Sequence, residues 1–324
     1  MVVPVKIEPF FEDLLKETGH IDFSVLPVEE IRRLRGAAFT SEEGLPKVLE
    51  EDKMVQRQNG KTVEITITRP PNTENKVLPV IFYIHGGGWV NCNKNTHRKI
   101  RYELTDRTGG AVIFVSYSLS PEARYPYALE ECYDALAWVT NPTNAASIKV
   151  DPKNIVVGGE SAGGNLAAAL CFLAKERGLL SHIKYQLLLY PTTNAEFNTE
   201  SYDQFEKGYF LDRNLMKLYW DLYCPDKERQ KEITASPLQA SIEQLKGLPP
   251  ACVLTCEADV LRDEGEAYGR KLQEAGVPVV SFRILGVIHG CFNTRILTPT
   301  SNAALDLVVS LVRKAWSSAP SATH

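Results

Sequence analysis

The stretch Gly158-Gly159-Glu160-Ser161-Ala162-Gly163-Gly164 decides the fold: four glycines and an alanine strip side chains from around a single hydroxyl. Asn154-Ile155-Val156-Val157 before it is a β-branched run of buried-strand character. Asn165-Leu166-Ala167-Ala168-Ala169-Leu170 after it opens a helix-like run with small residues on its early turns. The serine is therefore expected on a strand-to-helix turn, where Gly159 and Gly163 leave the room that a sharp turn needs. A G-x-S-x-G in that context is a nucleophile elbow; out of context it is a glycine-rich turn.

Working outward, strand-like segments alternate with helix-like ones from about residue 54. "LPVIFYIHGGG", "GAVIFVSYS", "NIVVGGES", "YQLLLYP", "ACVLTCEAD" and "VVSFRIL" are separated mostly by helical patterns such as "PYALEECYDALAWV" and "RDEGEAYGRKLQEAG". That rhythm predicts an α/β fold with a mostly parallel central sheet flanked by helices. Two regions break it. Residues 1–50 read as helical pieces without a strand, and residues 192–246 interrupt the alternation with a segment rich in aromatics, among them Phe205, Tyr209, Phe210, Tyr219 and Trp220. The expected organisation is N-terminal cap helices over 1–50, a catalytic domain in two parts over 51–191 and 247–324, and a cap insertion over 192–246 that covers a pocket.

Composition bounds the function. The 324 residues are 44% hydrophobic and 23% charged, enough for one sizeable core, and a net charge of −4 without a basic run argues against a nucleic-acid partner. No stretch of 18 apolar residues argues for membrane insertion, and the first residues lack a secretory pattern, so a cytoplasmic protein is expected. Seven scattered cysteines fit neither a disulfide framework nor a zinc site and read as reduced core thiols.

A serine hydroxyl is a weak nucleophile and needs a base, which in turn needs an orienting acid. In this fold they follow in the order serine, acid, histidine. Of six histidines only His289 and His324 come late enough, and His324 is the last residue. His289, just after the last strand pattern, is the expected base. The acid belongs after "ACVLTC". Asp263 and Glu264 open a helix, where its dipole suffices to explain them. Asp259 is chosen on the strand-to-helix loop, with Glu257 as the alternative. Attack on an ester builds an oxyanion, which each preorganised amide stabilises by about 3 to 4 kcal/mol. His85-Gly86-Gly87-Gly88-Trp89 after a strand supplies a loop of such amides, and the amide of Ala162 a further one. No Walker lysine follows to suggest a phosphate loop, and His85 reads as a loop organiser.

With "HGGGW" at 85–89, "GESAGG" at 159–164, "DVLRDEG" at 259–265 and "HGCF" at 289–292, the chain resembles the hormone-sensitive lipase family of α/β-hydrolase esterases over roughly residues 75–292. The resemblance implies Ser161 as nucleophile, Asp259 as acid, His289 as base, and Gly87, Gly88 and Ala162 as oxyanion donors. It also implies a cap built from N-terminal helices and an insertion after the sixth strand. The chain departs from the family at Glu160, Val260 and "SYSLSPE" (116–122), where aspartate, proline and "DYRLAPE" are usual. Glu160 is read as a local hydrogen-bond organiser. The expected activity is a serine carboxylesterase acting on small esters of short to medium acyl chain, without cofactor or metal. A small-molecule receptor and an amidase or formamidase are the alternatives on the same scaffold. The last strand pattern, 279–285, is expected at a sheet edge, where it forms a homodimer unless the C-terminal helix covers it.

Overall fold

The computed structural model describes residues 5–18, 21–39, 44–57 and 59–318. His20, His324 and parts of the proposed 1–50 segment lie outside them. Helices α1 (Pro9–Thr18) and α2 (Val28–Phe39) come first, then strands β1 (Leu49–Gln56), β2 (Thr62–Arg69) and β3 (Leu78–Ile84). α3 (Arg98–Thr108), β4 (Ala111–Ser116), α4 (Tyr127–Thr140), α5 (Pro142–Ser147), β5 (Val150–Glu160), α6 (Ala162–Glu176) and β6 (Ile183–Leu189) follow. Three short helices, α7 (Glu200–Gln204), α8 (Arg213–Tyr223) and α9 (Ile242–Leu245), precede β7 (Ala251–Ala258), α10 (Arg262–Glu274), β8 (Val279–Ile288) and α11 (Pro299–Ser317).

The eight strands form one sheet in the order β1-β2-β4-β3-β5-β6-β7-β8. β2 runs antiparallel to both β1 and β4, and the rest pair in parallel. The α/β hydrolase fold expected from the alternation is the fold found. The central strands are continuous apolar runs because both of their faces are covered: Val80 to Ile84 and Ala111 to Val115 are fully buried. Among the helices that flank the sheet, α3 packs with α11 and α4 with α6, while α10 lies on β7 and β8. The small residues of α6 let it approach the sheet closely, and Ala162 through Ala174 are all buried.

One element overlaps the end of the 1–50 segment expected to hold no strand. β1, Leu-Glu-Glu-Asp-Lys-Met-Val-Gln, begins at Leu49. It is an edge strand whose largely exposed charges give no period-2 apolar signal. Its place is fixed instead by backbone pairing with β2, by Thr66 donating to Asp52 (2.6 Å), and by Lys94 bridging Asp52 (2.5 Å) and Glu64 (2.8 Å). The last strand is longer than 279–285, running to Ile288, and lies at the opposite edge as expected.

Candidate active site

Four chain segments leave the carboxyl ends of neighbouring parallel strands and converge, as ligand sites in open α/β sheets do. They are the glycine loop after β3, the serine after β5, the acid after β7 and the histidine after β8. The register sets their spacing: Ile84 pairs with Gly159, and Ala258 with Ile288.

Ser161 is the single residue between β5 and α6. Its φ of 57° and ψ of −123° are a conformation that costs a non-glycine residue roughly 1–3 kcal/mol. The flanking glycines are there for space. A Cβ on Gly159 would meet the carbonyls of Gly163 and Ile84, and one on Gly163 would meet Ile84 and His85 backbone. The turn therefore packs directly on the end of β3 and lifts the hydroxyl off the sheet.

The residues singled out in the sequence come together. Ser161 Oγ lies 2.9 Å from His289 Nε2, and His289 Nδ1 lies 2.7 Å from Asp259 Oδ2. Asp259 is buried, and its other oxygen accepts from the Leu261 amide at 3.0 Å. A carboxylate so placed holds the imidazole with its Nδ1 protonated and its Nε2 free to accept from the serine. Glu257, the alternative acid, is not at the site: its carboxylate accepts from the Gly286 amide at 2.7 Å.

The glycine loop faces the same point. Gly87 and Gly88 have φ of 105° and 61°, a left-handed region that side chains avoid. Gly87 O accepts from the backbone of Val90 and Asn91 and from Asn91 Nδ2. Among the described residues no protein acceptor takes the amides of Gly87, Gly88 or Ala162. Unsatisfied N–H groups at a buried turn require a partner from outside the chain.

Two residues hold this loop against the elbow. Glu160 accepts from the Gly86 amide and faces His97 Nε2 at 2.6 Å, and a Cβ on Gly86 would run into the Glu160 carboxylate. His85 does not reach the serine. Its Nδ1 lies 2.7 Å from Gly86 O, its carbonyl accepts from Tyr117 Oη at 2.7 Å, and its ring stacks on Tyr117 and Phe114. Burial, helped by His97, pulls its pKa down to about 3, so it is neutral.

The cavity above Ser161 has a volume of about 50 Å³ and is partly open to solvent. Its outer wall comes from elsewhere in the chain: Arg35 from α2, and Phe210, Leu211 and Tyr219 from the segment between β6 and β7. Tyr219 lies against Gly88, and Tyr223 stacks on Trp89 at 4.3 Å, so the inserted helix α8 packs on the glycine loop itself. The aromatics of the insertion were conspicuous in the sequence. Arg35 was not, because nothing in "VEEIRRLRG" separates it from its charged neighbours.

A family model described as alpha/beta hydrolase fold matches residues 81–293. A fungal esterase from Rhizomucor miehei superposes with a TM-score of 0.94 at 51% identity, covering 97% of this chain and 98% of that one. A thermostable esterase from Pseudomonas putida does so with a TM-score of 0.90 at 37% identity, covering 98% and 100%. Carboxylesterase NlhH of Mycobacterium tuberculosis is 31% identical over 320 residues, 97% of this chain and 99% of its own length. With its sheet order and motif order, the chain belongs to the hormone-sensitive-lipase-like family of α/β-hydrolase esterases.

Proposed function

We propose that this esterase works through an acyl-enzyme on Ser161. His289 Nε2 takes the Oγ proton as the oxygen attacks the ester carbonyl, and the resulting oxyanion is received by the amides of Gly87, Gly88 and Ala162. Asp259 stabilises the imidazolium, which then protonates the departing alcohol. Water, deprotonated by His289 in turn, releases the acid and restores the serine. The observation that carries this reading is the unbroken hydrogen-bond chain from Asp259 through His289 to Ser161, beside amides that have no protein acceptor. Residues 192–246 with the N-terminal helices act as the cap, and the small cavity they close favours short to medium acyl chains. The test is a series of p-nitrophenyl esters from acetate to palmitate. Ser161→Ala is expected to lower kcat by about 10⁴- to 10⁶-fold with unchanged thermal stability, and the wild type to favour butyrate or hexanoate over palmitate. Turnover by the alanine variant at the wild-type rate would contradict the mechanism, and a preference for palmitate the cap reading.

Two further readings concern setting and assembly. Among the described residues no helix is long and apolar enough to cross a membrane. All seven cysteines are free thiols, and the buried Cys256 and Cys291 share a thiol hydrogen bond at 3.8 Å rather than a disulfide, which supports a reducing, cytoplasmic setting. The outer side of β8 supports a homodimer. The Glu8 amide occupies the carbonyl of Gly286, but Val280 and Leu285 are exposed at the open edge, and α11 packs on helices and strands without pairing there. Sedimentation at micromolar concentration is expected to give a dimer that Phe282→Pro dissociates; a wild-type species near 36.1 kDa contradicts it.

A further inference from the structure

Among the described residues four arginines are buried, and three are neutralised: Arg57 by Glu131 and Asp134, Arg101 by Glu50, and Arg262 by Asp263. Arg35 is the exception. It is 5% exposed, and among the described residues no carboxylate forms an ion pair with it. Its guanidinium lies between two rings instead, 4.2 Å from the centroid of Phe23 and 4.0 Å from that of Phe210. Nη2 donates to the Phe210 carbonyl at 3.2 Å, and Nε is buried with no partner. This arginine lines the cavity that holds Ser161.

A buried charge is costly unless it is paired. Contact with two aromatic faces offsets part of that cost but supplies no hydrogen-bond acceptor for the edge of the ion. The cavity holds no free anion to serve. Glu160 is engaged by Gly86 and His97, and Asp259 lies behind His289, engaged by that ring and the Leu261 amide. With rings over the guanidinium and Nη2 engaged by the Phe210 carbonyl, the remaining N–H groups of its edge suit a carboxylate oxygen. A single negative charge balances the single cation, whereas a phosphate dianion overshoots it.

We propose that Arg35 is a substrate-binding residue and that the preferred substrates are esters carrying a carboxylate, held by Arg35 while the scissile carbonyl sits at Ser161. This rests on the esterase mechanism above. It is tested with pairs of similar size that are charged or neutral at one end: p-nitrophenyl hemisuccinate against p-nitrophenyl pentanoate for the acyl side, and acetoxyacetate against acetoxyacetamide for the alcohol side. In at least one pair the anion-to-neutral ratio of kcat/KM is expected to be about tenfold or more higher in the wild type than in Arg35→Met, with Arg35→Lys between them. Ratios that agree within about twofold in wild type and Arg35→Met for both pairs overturn the proposal. If Arg35→Met does not fold, Arg35→Lys is read in the same way, and an unchanged ratio overturns it. Because each ratio is taken within one enzyme, a general loss of activity cancels. Failure of the esterase mechanism itself would show separately, as no wild-type turnover of the neutral esters.

Discussion

The floor and the outer wall of the cavity are built on different principles. The floor is backbone: Ser161 on its strained turn, the amides of Gly87, Gly88 and Ala162, and glycines packed against the end of β3. Every part of it hangs from the carboxyl end of a sheet strand whose register is fixed by its neighbours. The wall is side chain: Arg35 from α2, Tyr219 from α8 and Phe210 from the loop before α8, brought in by segments that no strand pairing holds in place. The contrast separates two jobs. Chemistry needs atoms placed to a fraction of an ångström, which the carboxyl ends of register-locked strands provide, whereas the choice of substrate is written in side chains that vary without disturbing that placement.

The floor is most easily broken at Gly163. An alanine there would set its Cβ against the backbone of Ile84 and His85, where no flexible side chain can give way. Gly163→Ala is expected to lower kcat by about 100-fold, the scale of a displacement near 1 Å at a catalytic group, and to cost roughly 1–3 kcal/mol of stability. Steady-state kinetics and thermal unfolding measure both. Unaltered kinetics would mean that the elbow tolerates what its packing forbids.

Glu264 sharpens the comparison at the junction between floor and wall. It opens α10 but accepts from the amides of Thr193 and Asn194, where the chain leaves β6 for the inserted segment. Complete burial pushes its pKa up to about 8, against an ordinary value of 4.5. The sign follows from linkage. Between the two values the unfolded chain gives up this proton while the folded one keeps it, so this group makes stability fall as pH rises from about 4.5 to about 8 and adds no slope beyond. Glu264→Gln keeps an acceptor for both amides and removes that slope, at most about 1.4 kcal/mol per pH unit. Melting temperatures from pH 5 to 8 are expected to depend less on pH in the variant, and parallel curves would contradict the assignment.

The same division explains what was legible in the sequence. The residues of the floor could be singled out because a backbone that must pass close to another backbone, as at Gly87, Gly159 and Gly163, or turn through a left-handed φ, as at Gly88, leaves glycine at that point, and these glycines stand at fixed distances from His85 and Ser161. The choice of Asp259 over Glu257, Asp263 and Glu264 rested on which residue falls on the loop after the strand. In the wall, the aromatics of 192–246 suggested a cap, but Arg35 lies 175 positions from Phe210, and only folding shows that the two share a contact. β1 escaped for another reason: an edge strand held by backbone bonds and surface ion pairs carries no apolar period. The roles of His97 and Glu160 were half visible, since a glutamate beside the nucleophile suggested an organiser but not its partner.

The central claim is that Ser161, and no other residue, is the nucleophile that attacks the ester carbonyl. The most direct measurement is labelling of the wild-type protein with an organophosphate, followed by mass spectrometry of its peptides. One phosphoryl group per chain on Ser161, with loss of esterase activity in step with labelling, is the result predicted; activity lost with the label on another residue, or retained with Ser161 fully labelled, would contradict it.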